Sequence, residues 1–263
     1  MHASATTPDR LAALSRLEPP SPGDGRTYVA ELGLTPDDVP ELVEFARRWI
    51  DPRHFEGHDE DSLAVWAPIH AWRALGELGA GEVISTLLEM LDTLDEQGDQ
   101  WYLEIFHELC AQIGPSAIAE LEPYVFDSSH HEYARISAAH GLQAIAMAEP
   151  ASRDRVVGVL ASCLEHSDEI PSLNGFLVSY LTDLRAIEHA DLIEDKFRVG
   201  AIETMICGDW RDIEYELRTG RRPPRRRPTG LLGAVPSQKP PARAKTSKSA
   251  RKQQKQSRRR NRR

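Results

Sequence analysis

The chain has 263 residues, with 32 Lys and Arg against 41 Asp and Glu, and a formal net charge of −9. No apolar run approaches the ~20 residues of a membrane-spanning helix, and the stretch Met1 to Arg10 lacks the apolar core expected of a secretory leader. Three cysteines, Cys110, Cys163 and Cys207, form neither a CxxC pair nor an even-numbered framework, so a reducing, cytoplasmic setting is expected.

In chain order, Pro8 to Leu17 is expected to form a short helix capped by Thr7. Glu18 to Gly25 (EPPSPGDG) is a helix-breaking linker, and Arg26 to Leu32 is weakly helical. Thr35-Pro36-Asp37-Asp38 is a helix start, with Thr35 as N-cap, Pro36 in the first position and acids in the first turn. That helix carries Leu42, Phe45, Ala46 and Trp49 on one face, and residues 53–61 follow as a polar loop.

From Trp66 to Gly200 a helical pair recurs four times. The first copy places Ala71, Leu75 and Leu78 before Gly79, then Ile84, Leu87 and Leu91. The second places Ile105, Leu109 and Ile113 before Gly114-Pro115, then Ile118, Leu121 and Val125. Leu75 and Leu109 are 34 residues apart, as are Leu87 and Leu121. The third copy has Tyr133, Ile136, Leu142 and Ile145, then Val156, Val157, Leu160 and Leu164. The fourth has Leu173, Phe176, Leu177, Tyr180, Leu181 and Leu184, then Leu192, Ile193 and Phe197. A last helix, Trp210 to Leu217, is expected to cap the open apolar end. A period of this length is the mark of stacked helical units, each burying its apolar face against its neighbours. The expected fold is therefore all-α, an α-solenoid of about four helical pairs with N- and C-terminal capping helices. The expected organisation is an N-terminal helix and linker over 1–33, a repeat domain over 34–217 and a disordered Arg/Lys-rich tail over 218–263.

These stretches resemble HEAT-repeat proteins of the bilin-lyase-like repeat type, in particular uncharacterised bacterial members. The resemblance rests on Trp66-Ala67-Pro68-Ile69-His70-Ala71 with Leu75-Gly76, on Ile113-Gly114-Pro115 with Ala117-Ile118, on Leu173-Asn174-Gly175-Phe176-Leu177, and on Gly208-Asp209-Trp210. It implies a protein-binding surface and singles out no tetrapyrrole. Related proteins often end in a cysteine-rich zinc motif, whereas this chain has no cysteine after Cys207.

Catalytic patterns are incomplete. Some HEAT-like hydroxylases hold a di-iron centre with His-Glu pairs at equivalent repeat positions, and His107-Glu108 and His131-Glu132 raise that possibility. His107 precedes Leu109 by two residues, as His140 precedes Leu142, but Gly141 stands where the second carboxylate would be needed, and Arg73 takes the position in the first copy. His131-Glu132 falls out of register. His54 and His58 lie in an acidic loop, and Cys110 beside His107 lacks an orienting third group. No catalytic residue, metal or cofactor is assigned, and the chain is expected not to be an enzyme.

The aromatic residues Trp66, Trp72, Trp101, Tyr102 and Trp210 lie at helix ends and are candidates for a partner-binding surface, since Trp and Tyr dominate binding hot spots. The charge is also segregated: residues 1–217 carry 14 basic and 41 acidic residues, net −27, whereas 218–263 carry 18 basic residues and no acid, net +18. The segment Arg221 to Pro228 (RRPPRRRP) is expected to be extended and polyproline-like. Arg221, Arg222, Arg225, Arg226 and Arg227, then Arg258, Arg259, Arg260, Arg262 and Arg263, can neutralise phosphates. Without aromatics the tail cannot stack bases, so it should be non-specific, and the acidic body should compete for it. The expected function is a non-catalytic protein-interaction scaffold with a polyanion-binding tail. A nucleic-acid or ribosome-associated factor is the alternative, and a metal-dependent enzyme of the hydroxylase type a third reading.

Overall fold

Proline and glycine set the helix boundaries. Proline lacks an N–H and has its φ pre-set, so it costs nothing in a first turn. Pro68 opens a helix accordingly rather than kinking it. Pro115 and Pro150 stand in the short 3₁₀ turns Gly114–Ala117 and Pro150–Ser152 that lead into helices, and Pro171 begins one. At the other ends the backbone turns left-handed, as at Gly79 (φ 64°), where the Ala80 amide closes back on the Leu75 carbonyl at 3.2 Å. The same 6→1 closure joins Ala186 to Leu181 at 2.9 Å, but its left-handed residue is Arg185 (φ 53°), the one non-glycine among the described residues with positive φ.

The computed structural model describes residues 7–20, 26–56, 62–99, 101–167 and 170–222. Regular structure among them is helical throughout, with no strand. The α-helices are α1 (Thr7–Leu14), α2 (Tyr28–Leu32), α3 (Val39–Arg47), α4 (Ala67–Glu77), α5 (Ile84–Glu96), α6 (Trp101–Ile113), α7 (Ile118–Phe126), α8 (Glu132–Ala148), α9 (Arg153–His166), α10 (Pro171–Asp183), α11 (Ala190–Arg198), α12 (Thr204–Cys207) and α13 (Trp210–Thr219). None is long and apolar enough to cross a membrane. The expectations for linker residues 21–25, for loop residues 57–61 and for the tail beyond Arg222 lie outside the described residues.

The helices pack in two rows. In the first, α3 meets α4, α4 meets α6, α6 meets α8 and α8 meets α10. In the second, α5 meets α7 and α7 meets α9, while α7, α9 and α5 each also touch α8. Helices α12 and α13 pack on α10, and α13 also covers α11. Ile213 and Leu217 of α13 are buried there, one helical turn apart on one face, as the sequence pattern requires. The heptad-like leucines Leu75, Leu87, Leu91, Leu109, Leu121, Leu142, Leu160 and Leu164 are all inside. One assignment from the sequence is corrected: Tyr133 stands on the first turn of α8 with 45% of its surface exposed and does not line the core.

What brings α4, α6 and α8 together, and seats the segment before α12 on α10, is the absence of side chains at three contacts. A Cβ added to Gly141 of α8 would stand 2.7 Å from the Cys110 sulfur of α6. One at Gly76 of α4 would stand 3.1 Å from the Leu109 Cα, and one at Gly175 of α10 would stand 2.9 Å from the Glu203 carbonyl oxygen. None of these three has positive φ, so close approach rather than backbone freedom explains the glycine. At Gly158 of α9 the added Cβ would meet open space.

Two substitutions separate these roles. Gly141→Ala should destabilise the protein by about 1–3 kcal/mol, because α6 and α8 must part. Gly158→Ala should stabilise it by about 0.5–1 kcal/mol through helix propensity alone. Denaturant titration of both variants checks the pair. Leu109→Ala, at a position 1% exposed, should cost about 2–4 kcal/mol.

Candidate functional site

The tryptophans divide between core and surface. Trp72 and Tyr102 are wholly buried and Trp66 nearly so. Trp72 stacks edge-on against Trp49 at 5.0 Å and against Phe106 at 5.9 Å, binding the turn after α3 to α4 and α6. Trp49 donates from its indole nitrogen to the Asp99 carboxylate at 2.9 Å, and Asp99 in turn accepts from the Trp101 amide at 2.8 Å. These rings therefore serve the core, because each large apolar face found a neighbouring helix to cover it. Trp101 and Trp210 keep part of their surface. Trp101 packs edge-on with Trp66 at 5.1 Å, and Trp210 lies against Phe197 at 6.0 Å.

A different set of rings crosses the first row. The imidazoles of His107 on α6 and His140 on α8 stack with centroids 3.9 Å apart and planes 14° from parallel. His140 stacks in turn on Tyr180 of α10 at 5.1 Å and 7°, and Phe176, one turn away, leans on Tyr180 at 6.1 Å. Three successive first-row helices thus contribute one ring each to a continuous ladder. Both histidines are half-buried and Tyr180 is buried. Burial, with His107 adding to it, pushes the His140 imidazole down to about 4, so at neutral pH it is an uncharged ring. The His107 Nδ1 is buried and has no hydrogen-bond partner among the described residues.

Polar groups border the ladder on both sides. On α6, Glu108 accepts from the Arg73 guanidinium at 3.2 Å. On α8, Gln143 lies one turn beyond His140 and donates to Asp183 of α10 at 3.5 Å. Asp183 lies one turn beyond Tyr180. Burial raises its carboxyl, and Arg222 works in the opposite direction. Arg222 itself lies 3.9 Å from Asp183 and 3.6 Å from Glu216 of α13, with its side chain 83% exposed. Arg221 is exposed and hydrogen-bonds through its amide to Thr219. Arg225, Arg226, Arg227, Arg258, Arg259, Arg260, Arg262 and Arg263 lie outside the described residues.

The His-Glu pairs do not converge. Glu108 is engaged with Arg73 while His107 faces His140, and His131 reaches Glu96 on α5 at 3.2 Å. Glu132 accepts from Ser172 of α10. Among the described residues no group of three His, Cys, Asp or Glu side chains could hold a metal ion. His130 belongs to a structural clasp: its Nδ1 donates to Asp92 at 2.7 Å and its ring stacks on Tyr124 at 3.7 Å. The loop between α7 and α8 is thereby fastened to α5.

Sequence reasoning placed His107 and His140 at equivalent positions but sought metal chemistry there. Tyr180 escaped it, because the spacing from His140 is 40 residues rather than the 33 that separates His107 from His140. Comparison with protein-family models, with curated proteins and with solved structures finds no match to this chain.

The ladder makes stability depend on pH. An imidazole whose folded-state value lies below its ordinary value near 6.5 binds fewer protons folded than unfolded, so stability falls as pH drops from about 6.5 towards 4. His140→Gln should reduce the stability lost between pH 7 and pH 5 by on the order of 1–2 kcal/mol relative to the parent chain. Urea titrations of both proteins at the two pH values give the difference, and equal losses would remove the titration from His140.

Proposed function

We propose that this protein is a non-catalytic interaction scaffold, an α-solenoid of HEAT-like helical pairs that engages a protein partner through the outer side of its first-row helices. The observation that carries the reading is the ring ladder. His107 and His140 each leave part of a ring at the surface on consecutive helices, backed by the buried Tyr180, and a repeat array builds an extended binding surface from equivalent positions. Exposed apolar side chains lie on the same helices or beside them: Tyr133 and Met147 of α8 are 45% and 58% exposed. His140, Ala144 and Met147 follow a spacing of four and three residues, hence one side of the helix, with Tyr133 two turns before His140. Trp101, partly exposed at the start of α6, packs on Trp66 instead, and Trp66, Trp72 and Tyr102 contribute to holding the helices in place.

The basic segment from Arg218 onward supplies a second function, non-specific attachment to polyanions. What supports it is composition: 18 Lys and Arg with no acid in 46 residues. A nucleic-acid or ribosome-associated role fits the same feature, with the tail as principal binder and the body limiting its contacts. A cytoplasmic setting accords with both.

Two measurements test these readings. A photo-cross-linking residue placed at Met147 in the full chain should capture a discrete protein partner in cells, and Tyr133→Glu should abolish that capture without lowering the melting temperature. Diffuse labelling unaffected by Tyr133→Glu would remove the scaffold reading. Fluorescence anisotropy of the full chain with single-stranded RNA should show log K falling against log salt by about 0.7 per phosphate neutralised. Replacing Arg258, Arg259, Arg260, Arg262 and Arg263 with alanine should flatten that slope, and a strong preference for one RNA sequence would count against the tail as the binder.

A further inference from the structure

We propose that the outward face of α13 is a platform for single-stranded nucleic acid, with Tyr215 stacking on a base and Arg211 and Arg218 holding the phosphates on either side. This deepens the polyanion reading of the basic segment and rests on it.

Helix geometry makes the platform. Residues four and three apart share one side of a helix, so Arg211, Tyr215 and Arg218 form a single stripe along α13. Ile213 and Leu217 are buried on the opposite side, and Trp210 turns with them onto Phe197 at 6.0 Å. Burying that apolar side leaves the stripe facing outward. Arg211 is exposed, Tyr215 keeps 42% of its surface, and the Arg218 side chain keeps 64%. Unlike Tyr180, Tyr215 stacks on no other ring among the described residues. Seven residues at 1.5 Å each set the two arginines about 10 Å apart along the axis, with the ring between them.

The acids of α13 and its cap are engaged elsewhere or stand beside the stripe. Asp209 caps the helix, accepting from the Asp212 amide at 3.0 Å, and Glu216 faces Arg222 at 3.6 Å. Glu214 borders the stripe and accepts from Arg218 at 3.0 Å. An exposed pair of that kind is too weak to withhold the guanidinium from a phosphate.

Charge and chemistry select the occupant. Arg221 and Arg222 follow α13 and are exposed, and residues 218–263 hold 18 Lys and Arg with no acid and no aromatic. Such a composition neutralises phosphates but gives bases nothing to stack on. Tyr215 supplies that ring immediately before it in the chain. Positive charge combined with an aromatic ring is how single strands are held without regard to sequence. A duplex keeps its bases stacked inside, so the ring adds nothing to its binding.

The test measures the full chain against a fluorescent oligouridine of about 16 nucleotides, by anisotropy between about 50 and 200 mM salt. Tyr215→Ala should weaken binding about five- to tenfold without changing the slope of log K against log salt, because a base contact rather than a phosphate contact is lost. Tyr215→Phe should bind as the parent chain does, and Arg211→Gln should lower the slope by about 0.7. Calorimetric titration with inorganic polyphosphate, which has charge but no bases, should give the parent and Tyr215→Ala the same affinity. Unchanged RNA affinity in Tyr215→Ala, an equal loss towards polyphosphate, or weak binding by Tyr215→Phe overturns the platform. If removing the five C-terminal arginines flattens the salt slope while Tyr215→Ala binds as the parent does, the tail reading stands and this inference alone falls. A chain that binds neither RNA nor polyphosphate removes both.

Discussion

Everything on the first-row side of this protein depends on how closely its helices approach. At Gly76, Gly141 and Gly175 a single methyl group would collide with a backbone atom or with the root of a side chain on the next element. Interaxial distance is set by the side chains at the contact, and with none present the flanking residues are drawn into register. That is why His107 and His140 stack at 3.9 Å rather than lying in separate grooves. Stacking also dries them: the imidazoles cover each other's faces, and the loss of water lowers the proton affinity of His140. Ring stacking, partial burial and depressed basicity are thus three results of one packing decision.

The second row is held by another kind of interaction. Its junctions use charged and polar side chains reaching across the loops. Asp92 receives the His130 ring and the His131 amide, Arg153 donates to the carbonyls of Leu184 and Arg185 at 2.9 Å each, and Lys196 donates to the Glu165 carbonyl at 2.7 Å. Deep between the rows, Asn174 is fully buried but satisfied, taking the Ser167 hydroxyl at 2.8 Å and donating to the Ala201 carbonyl at 2.9 Å. Buried amides of this kind cost stability when left unpaired and specify geometry when paired. Asn174 joins α9, α10 and the segment before α12, so it fixes the angle at which the terminal helices close the stack.

Much of the helical framework was legible because it depends on local chemistry. Leucine spacing marked the buried faces, and proline and glycine marked the ends. The C-terminal helix α13 follows from the placement of Trp210, Ile213 and Leu217. The candidate site was legible only in part. A tryptophan carries the same sequence signal whether it meets a partner or another helix, and Trp72 met Trp49 and Phe106. Gly141 looked like a missing ligand when read beside His140, yet its role is steric and belongs to the neighbouring Cys110. Such a contact involves two residues 31 apart, and no local pattern announces it. Tyr180 joins the ladder through three-dimensional packing that compensates for a longer stretch of chain between α8 and α10.

The segregation of charge gives this arrangement a consequence for partner choice. An exposed pair such as Arg222 with Asp183 or Glu216 contributes about 0–1 kcal/mol on its own. A face whose attraction is the sum of such pairs, plus ring stacking, discriminates weakly by affinity but strongly by charge and by stiffness. Acidic chains are disfavoured by the field of a body carrying −27, which extends about 10 Å at ordinary ionic strength. Flexible basic chains bind but lose conformational entropy on docking. Stiff basic segments lose least, because their conformation is already restricted. On the scaffold reading, a partner therefore gains from basic charge and stiffness, or from apolar ground beside the ladder. Tyr133 and Met147 are that ground, 45% and 58% exposed.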